Sequence, residues 1–162
     1  MGSTDDVVVS VTATDFLWFI DTALHAMGDI VRQLGDELAN RSPAVEAANS
    51  PFAILTHCLG VMEFWGGVMV AGRTIERDRA AEFRAEGSVD ELLVRVDLAR
   101  HRLADDLRAL DSLAPPVPGG DADSDEPYQA VQGAVLLHIM EELFQHLGQM
   151  EISRDLLVSA AR

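Results

Sequence analysis

Residues 138–149 read HIMEELFQHLGQ. Two histidines and two glutamates stand inside an otherwise apolar run, and helical geometry sorts them. At ~100° per residue, Glu141 shares a side with Glu151 and Asp155, so it is expected in solvent. Glu142 and His146 are i and i+4, one turn apart. They fall with Val131, Val135, Ile139 and Leu157 on the core half. His138 lies one turn earlier, at the edge of the same line, and Gln149 continues it. A carboxylate that faces a core is costly unless it is paired or coordinated. Glu142 and His146 are therefore either a hydrogen-bonded polar pair or two ligands of a metal.

The rest of the chain supplies three more helices. Asp15 is expected to cap a helix that runs to about Ala39, with Phe16, Ile20, Ala23, Met27, Ile30, Leu34 and Leu38 on one face. Ser50-Pro51 opens a second, running to about Gly72. The charged stretch 73–87, RTIERDRAAEFRAEG, reads as a connection with at most a short helical turn. Ser88-Val89-Asp90-Glu91 is a capping box. It starts a third helix with Leu92, Val96, Leu103, Leu107 and Leu110 on one face, ending near Asp111. APPVPGGDADSDEP, residues 114–127, must be a loop. Pro127 then sits in the first turn of a fourth helix that reaches about Ala160. Four helices and no strand predict an all-α, four-helix bundle spanning residues 1–162 as one domain, with 1–13 as a flexible N-terminal arm. The long connections argue against a simple up-down-up-down order and can cover one end of the bundle.

A catalytic metal takes about three protein ligands and leaves a position open. The second helix, SPFAILTHCLGVMEFWGGVMVAG, offers His57 as its only histidine, at the flank of an apolar face. Glu63 falls on the opposite, glycine-rich side and is the weaker candidate. His25 and His101 lie opposite the apolar faces of their helices and are expected in solvent. Cys58 points about 100° away from His57 and reads as a buried thiol. Trp18 and Trp65 read as core. Leu136, Met140, Phe144 and Leu147 spread apolar surface around the fourth helix and leave room for a homodimer face. Two histidines and a carboxylate suit Zn²⁺ and equally non-haem Fe(II). A ferritin-like di-iron site requires Glu-x-x-His pairs at i, i+3, which this chain lacks.

Composition excludes other classes. The net charge is −15 and every basic residue is arginine. Phosphate-rich partners would be repelled, so neither nucleic acid nor an anionic membrane surface is expected as a partner. One cysteine permits no internal disulfide, which fits a reducing cytoplasm. The first residues, MGSTDDVVVSV, lack the pattern of a signal peptide. No run of 18 or more apolar residues suggests a membrane span.

His57 in THCLGVMEFWGG, followed by ELFQHLGQ at 142–149 within LLHIMEELFQHLGQMEISRDLL, resembles the DinB-like superfamily. Its members are four-helix bundles that hold a divalent metal through three side chains. Glu142 stands where the commoner pattern has histidine. That form resembles the mycothiol-dependent branch, which contains mycothiol-dependent maleylpyruvate isomerases and mycothiol S-transferases. The resemblance implies His57, Glu142 and His146 as metal ligands through which catalysis runs, with His138 and Gln149 supporting them. It assigns no role to Arg154. It implies a metal, zinc first with nickel or iron as alternatives, and mycothiol as thiol co-substrate. The activity implied is S-transfer: mycothiol, or a similar low-molecular-weight thiol, is activated as a metal-bound thiolate for attack on an electrophile, a detoxification chemistry. The same site in an isomerase uses the thiol as an adduct-forming cofactor, and a metal-binding bundle without turnover is the third possibility. The isomerases carry an additional C-terminal domain, and a chain that ends just past its fourth helix favours the transferase.

Overall fold

The structure is a computed structural model and describes residues 10–118 and 130–162. Its helices are α1 (Ala13–Ala39), α2 (Pro51–Met62), α3 (Arg79–Glu82), α4 (Val89–Asp106) and α5 (Gln132–Ala160). There is no strand among the described residues. The all-α four-helix bundle expected from the sequence is what forms, from α1, α2, α4 and α5.

Each helix start has a local cause. Thr12, not Asp15, caps α1: its hydroxyl accepts the Asp15 N–H at 3.1 Å, and Asp15 accepts the Thr12 N–H at 3.3 Å. Helix α1 breaks at Gly35, which takes φ +63°, a conformation open to glycine and strained elsewhere. The turn after that break carries Asp36, whose Oδ1 accepts the Val89 N–H at 2.8 Å. So α4 is capped from α1, and Ser88 makes no side-chain capping bond; the expected capping box is replaced by a long-range cap. Asp36→Ala should then cost about 1 kcal/mol and Ser88→Ala much less, a contrast that paired chemical denaturation reads directly.

The start of α5 also differs from expectation. It begins at Gln132, and Pro127 lies outside the described residues. No side chain caps it. Instead the Gln132 and Gly133 N–H groups donate to the carbonyls of Ala114 (2.9 Å) and Ser112 (3.0 Å). Backbone from the proline-rich loop satisfies the free donors of the first turn.

Helix α2 passes straight into a π-helical segment, Glu63–Val70, so helix runs from Pro51 to Val70. That span is long and apolar enough to cross a membrane, unlike the sequence expectation, but 78% of its apolar window is buried within the protein. It is the central helix of the bundle. The α4 helix ends at Asp106, followed by a single 3-10 turn at Leu107–Ala109.

Helix α1 packs on α5, α4 and, less extensively, α2, and α2 packs on α5 and α4, whereas α4 and α5 make little or no contact and form a diagonal pair. Consecutive long helices are thus not all neighbours, as the long connections predicted. Ile20, Met27, Ile54, Leu55, Leu92, Leu103, Ile139 and Leu143 fill the middle, each under 2% exposed. Leu136 belongs to this core, and Met140 and Leu147 pack against it. Phe144 is exposed and meets Phe19 edge-on, with ring centroids 6.4 Å apart. Trp18 contradicts its expected place in the core: it is 62% exposed, because it lies on the side of α1 away from Phe16, Ile20 and Ala23. Trp65 packs against the core while its ring meets His138 edge-on at 4.9 Å.

Candidate metal centre

The bundle brings His57 from α2 to Glu142 and His146 of α5. One ligand-type atom from each of the three lies within 4.8 Å of the others. Glu142 Oε2 is 3.2 Å from His146 Nε2 and 3.6 Å from His57 Nε2. The two imidazole rings cross edge to face with centroids 4.9 Å apart. His57 is not at a flank as the apolar wheel suggested; it is 2% exposed, since α2 is buried on nearly every side and its wheel has no clear polar face.

The outer nitrogen fixes the tautomer of His57. His57 Nδ1 is 2.8 Å from Glu82 Oε2. A carboxylate only accepts, so the ring proton sits on Nδ1 and the Nε2 lone pair is free. His146 has an oxygen acceptor at each ring nitrogen, Gln149 Oε1 at 2.9 Å from Nδ1 and Glu142 Oε2 at 3.2 Å from Nε2. His57 Nε2 is buried and has no hydrogen-bond partner. His57 Nε2, His146 Nε2 and a Glu142 oxygen thus converge on one point, an arrangement that a cation or a shared proton stabilises. The donor set, two neutral imidazoles and a carboxylate, fits a divalent ion, and the unpartnered Nε2 is the observation that makes the fit specific.

His138 is the remaining histidine on this side. Its Nε2 is 3.8 Å from Glu142 Oε1 and its Nδ1 is 3.4 Å from Glu141 Oε2. It therefore stands against the far carboxylate oxygen of Glu142 and outside the three-atom cluster. Glu141, His25 and His101 are exposed, as expected, and Cys58 is fully buried. Burial first, and the nearby carboxylates second, push the Cys58 thiol well above its ordinary range, so it is inert. Glu63 turns away from the cluster to pair with Arg73 and Arg102, both at 2.9 Å. Arg154 pairs with Asp155.

Sequence reasoning missed Glu82, Arg77 and Phe83, all in the stretch read as a connection. Arg77 forks onto Glu82 at 2.7 and 2.9 Å. Phe83 stacks on the His57 ring at 4.4 Å and 26°. The available signal was Gly60, three residues after His57, which leaves bare backbone beside it. A cavity of about 520 Å³ opens beside Glu82, not onto the triad, with Thr56, Gly60, Arg77, Arg95 and Arg102 in its walls.

Protonation follows from this packing. Burial alone would lower the His57 pKa, but Glu142 and Glu82 outweigh it and hold it above the ordinary 6.5. Contact with His146, then with His57, holds the Glu142 carboxyl far below its ordinary 4.5 against burial. For Glu82, burial pushes upward, and His57 with Arg77 overcomes it, leaving the group below 4.5. A raised histidine stabilises the fold fully below 6.5 and loses that contribution as pH rises through its higher folded value. The depressed carboxylates contribute above 4.5 and lose it as pH falls through their folded values. The cluster's stabilisation of the metal-free protein is therefore greatest between 4.5 and 6.5. Metal affinity runs the other way, because the proton on His57 Nε2 competes with the ion. Above pH 6.5, thermal melts of the metal-free protein should lose this stabilisation as pH rises while zinc titrations over the same series gain affinity. Parallel slopes would contradict the assignment.

A family model described as Mycothiol-S-transferase matches residues 15–158. No curated protein and no solved structure matches the chain.

Proposed function

Because the chain belongs to the mycothiol S-transferase family, we propose that it is a metal-dependent thiol S-transferase that joins mycothiol, or a similar small thiol, to an electrophilic substrate. The observation that carries this reading is the buried, unpartnered Nε2 of His57 facing Glu142 and His146. His57, Glu142 and His146 would hold the ion, zinc first and nickel or iron as alternatives. A divalent ion there supplies Lewis acidity, which favours thiolate over thiol near neutral pH.

The chain's own residues do the remainder. Glu142 brings one negative charge to the cluster, so a divalent cation leaves a net positive field that attracts an anionic sulfur. Glu82 accepts the hydrogen bond from His57 Nδ1–H, Gln149 Oε1 lies against His146 Nδ1, and both Nε2 atoms are thereby turned toward Glu142. Phe83 covers the His57 ring with apolar surface, which reduces competition from water. His138 beside Glu142 limits the carboxylate's rotation. With a haloarene as electrophile, the thiol sulfur forms the new C–S bond, the halide leaves with its electron pair, and the thiol proton goes to solvent. A detoxifying role in the cytoplasm suits this chemistry and the single buried cysteine.

The test is conjugate formation by metal-loaded protein with mycothiol and a haloaromatic electrophile, with bacillithiol and glutathione in parallel. A rate above background that disappears on chelation supports the reading. No conjugate with any thiol, across several electrophiles and with metal shown to be bound, counts against it.

A further inference from the structure

We propose that Glu82 is a positioning residue for the triad: the 73–87 connection delivers its carboxylate to the back of His57, where it sets the Nδ1–H tautomer and directs Nε2 at Glu142 and His146. The purpose of this arrangement rests on the metal reading above; the geometry does not.

Four observations converge on it. The His57 side chain is 3% exposed and Glu82 11%, so water does not compete for the 2.8 Å bond between them. Glu82 is itself held, by the Arg77 fork on both oxygens. A methyl group at Gly60 would lie 2.0 Å from Glu82 Oε1, so the carboxylate occupies space that only a glycine leaves on α2. The segment that carries Glu82 is anchored as well. Asp78 caps α3 by accepting the Ala81 N–H at 2.9 Å, and Phe83, under the Arg79 guanidinium at 5.4 Å, lies flat against the His57 ring. Tautomer, tilt and rotation of one imidazole are thus all determined by residues 77–83. His146 has a weaker arrangement, a neutral amide from its own helix. A carboxylate behind an imidazole increases its basicity as a ligand, which makes His57 the stronger donor of the pair.

The experiment compares wild type, Glu82→Gln and Glu82→Ala, each checked for folding by circular dichroism. Imidazole ¹⁵N–¹H correlation spectra of the metal-free proteins, taken where His57 is neutral, report its tautomer. Zinc affinity comes from competition with a chromophoric chelator. Wild type should show the proton on Nδ1. Glu82→Gln, whose amide oxygen still accepts, should keep that tautomer and lose part of the affinity. Glu82→Ala should lose the tautomer preference and roughly 10–100-fold in zinc affinity. Gly60→Ala, which evicts the carboxylate, should resemble Glu82→Ala. Two results overturn the proposal: a wild-type His57 protonated on Nε2, or zinc affinity unchanged in folded Glu82→Gln and Glu82→Ala. A wild type that binds no zinc, yet shows a tautomer that shifts in Glu82→Ala, would refute the metal reading and uphold this one.

Discussion

Replacing Glu142 by alanine is expected to reduce metal-dependent thiol conjugation to the uncatalysed background while the bundle stays folded. The reasoning starts from ligand number. A catalytic divalent ion takes about three protein ligands, and this site has three donors within 4.8 Å. Without the carboxylate, two neutral imidazoles remain, and the site's only negative ligand is gone. The loss should exceed the ~10–100-fold typical of removing a partner outside the coordination sphere. The fold should stand because Glu142 is 25% exposed at its side chain and lies at the rim of the core. In the metal-free protein, its removal ends both its pairing with His146 and its own burial cost, two effects of opposite sign. Turnover with metal offered in excess, beside a thermal melt of the same sample, checks both halves. Undiminished turnover would remove Glu142 from the site. A collapse in melting temperature with metal bound elsewhere would make it a structural group.

Leu143→Ala, one residue along, is expected to do the reverse. Leu143 is 0% exposed and belongs to the central core cluster. Truncating a fully buried leucine removes transfer free energy and leaves a cavity, costing about 2–5 kcal/mol. For a chain of this size that lowers the melting temperature by about 4–20 °C. The triad stays in place, since α5 points Leu143 about 100° away from Glu142. Metal content per folded molecule should therefore hold. A melting temperature within a degree or two of wild type would show that this part of α5 does not pack as described. The two neighbours separate function from stability along a single turn of helix.

Much of this was legible in the sequence for definite physical reasons. The i, i+4 spacing of Glu142 and His146 survives in any α-helix, so their pairing could be read without knowing the fold. The apolar periodicity of α1 and α4 gave their buried faces. His57 was harder. Helix α2 is apolar almost all round, so a helical wheel gives no inward direction, and His57 stood out only as the helix's single histidine and then through the resemblance to a metal-binding family. Where the reading failed, long-range contacts had replaced local ones. Asp36, 53 residues away, caps α4 in place of Ser88. Loop carbonyls start α5 where no capping side chain marks the place. Glu82 reaches His57 across 25 residues from a charged stretch whose composition resembles any solvated connection. Trp18 was misplaced because a large aromatic is usually buried, yet here it lies on the outer side of α1.

The most direct test of the central claim is elemental analysis of the purified protein, wild type beside His57→Ala. About one equivalent of divalent metal in wild type and little in the variant would join α2 to α5 in a single metal centre, as the geometry requires. No metal in either protein, even after zinc or nickel is offered, would contradict the account and leave Glu142 and His146 as a polar pair in the seam between helices.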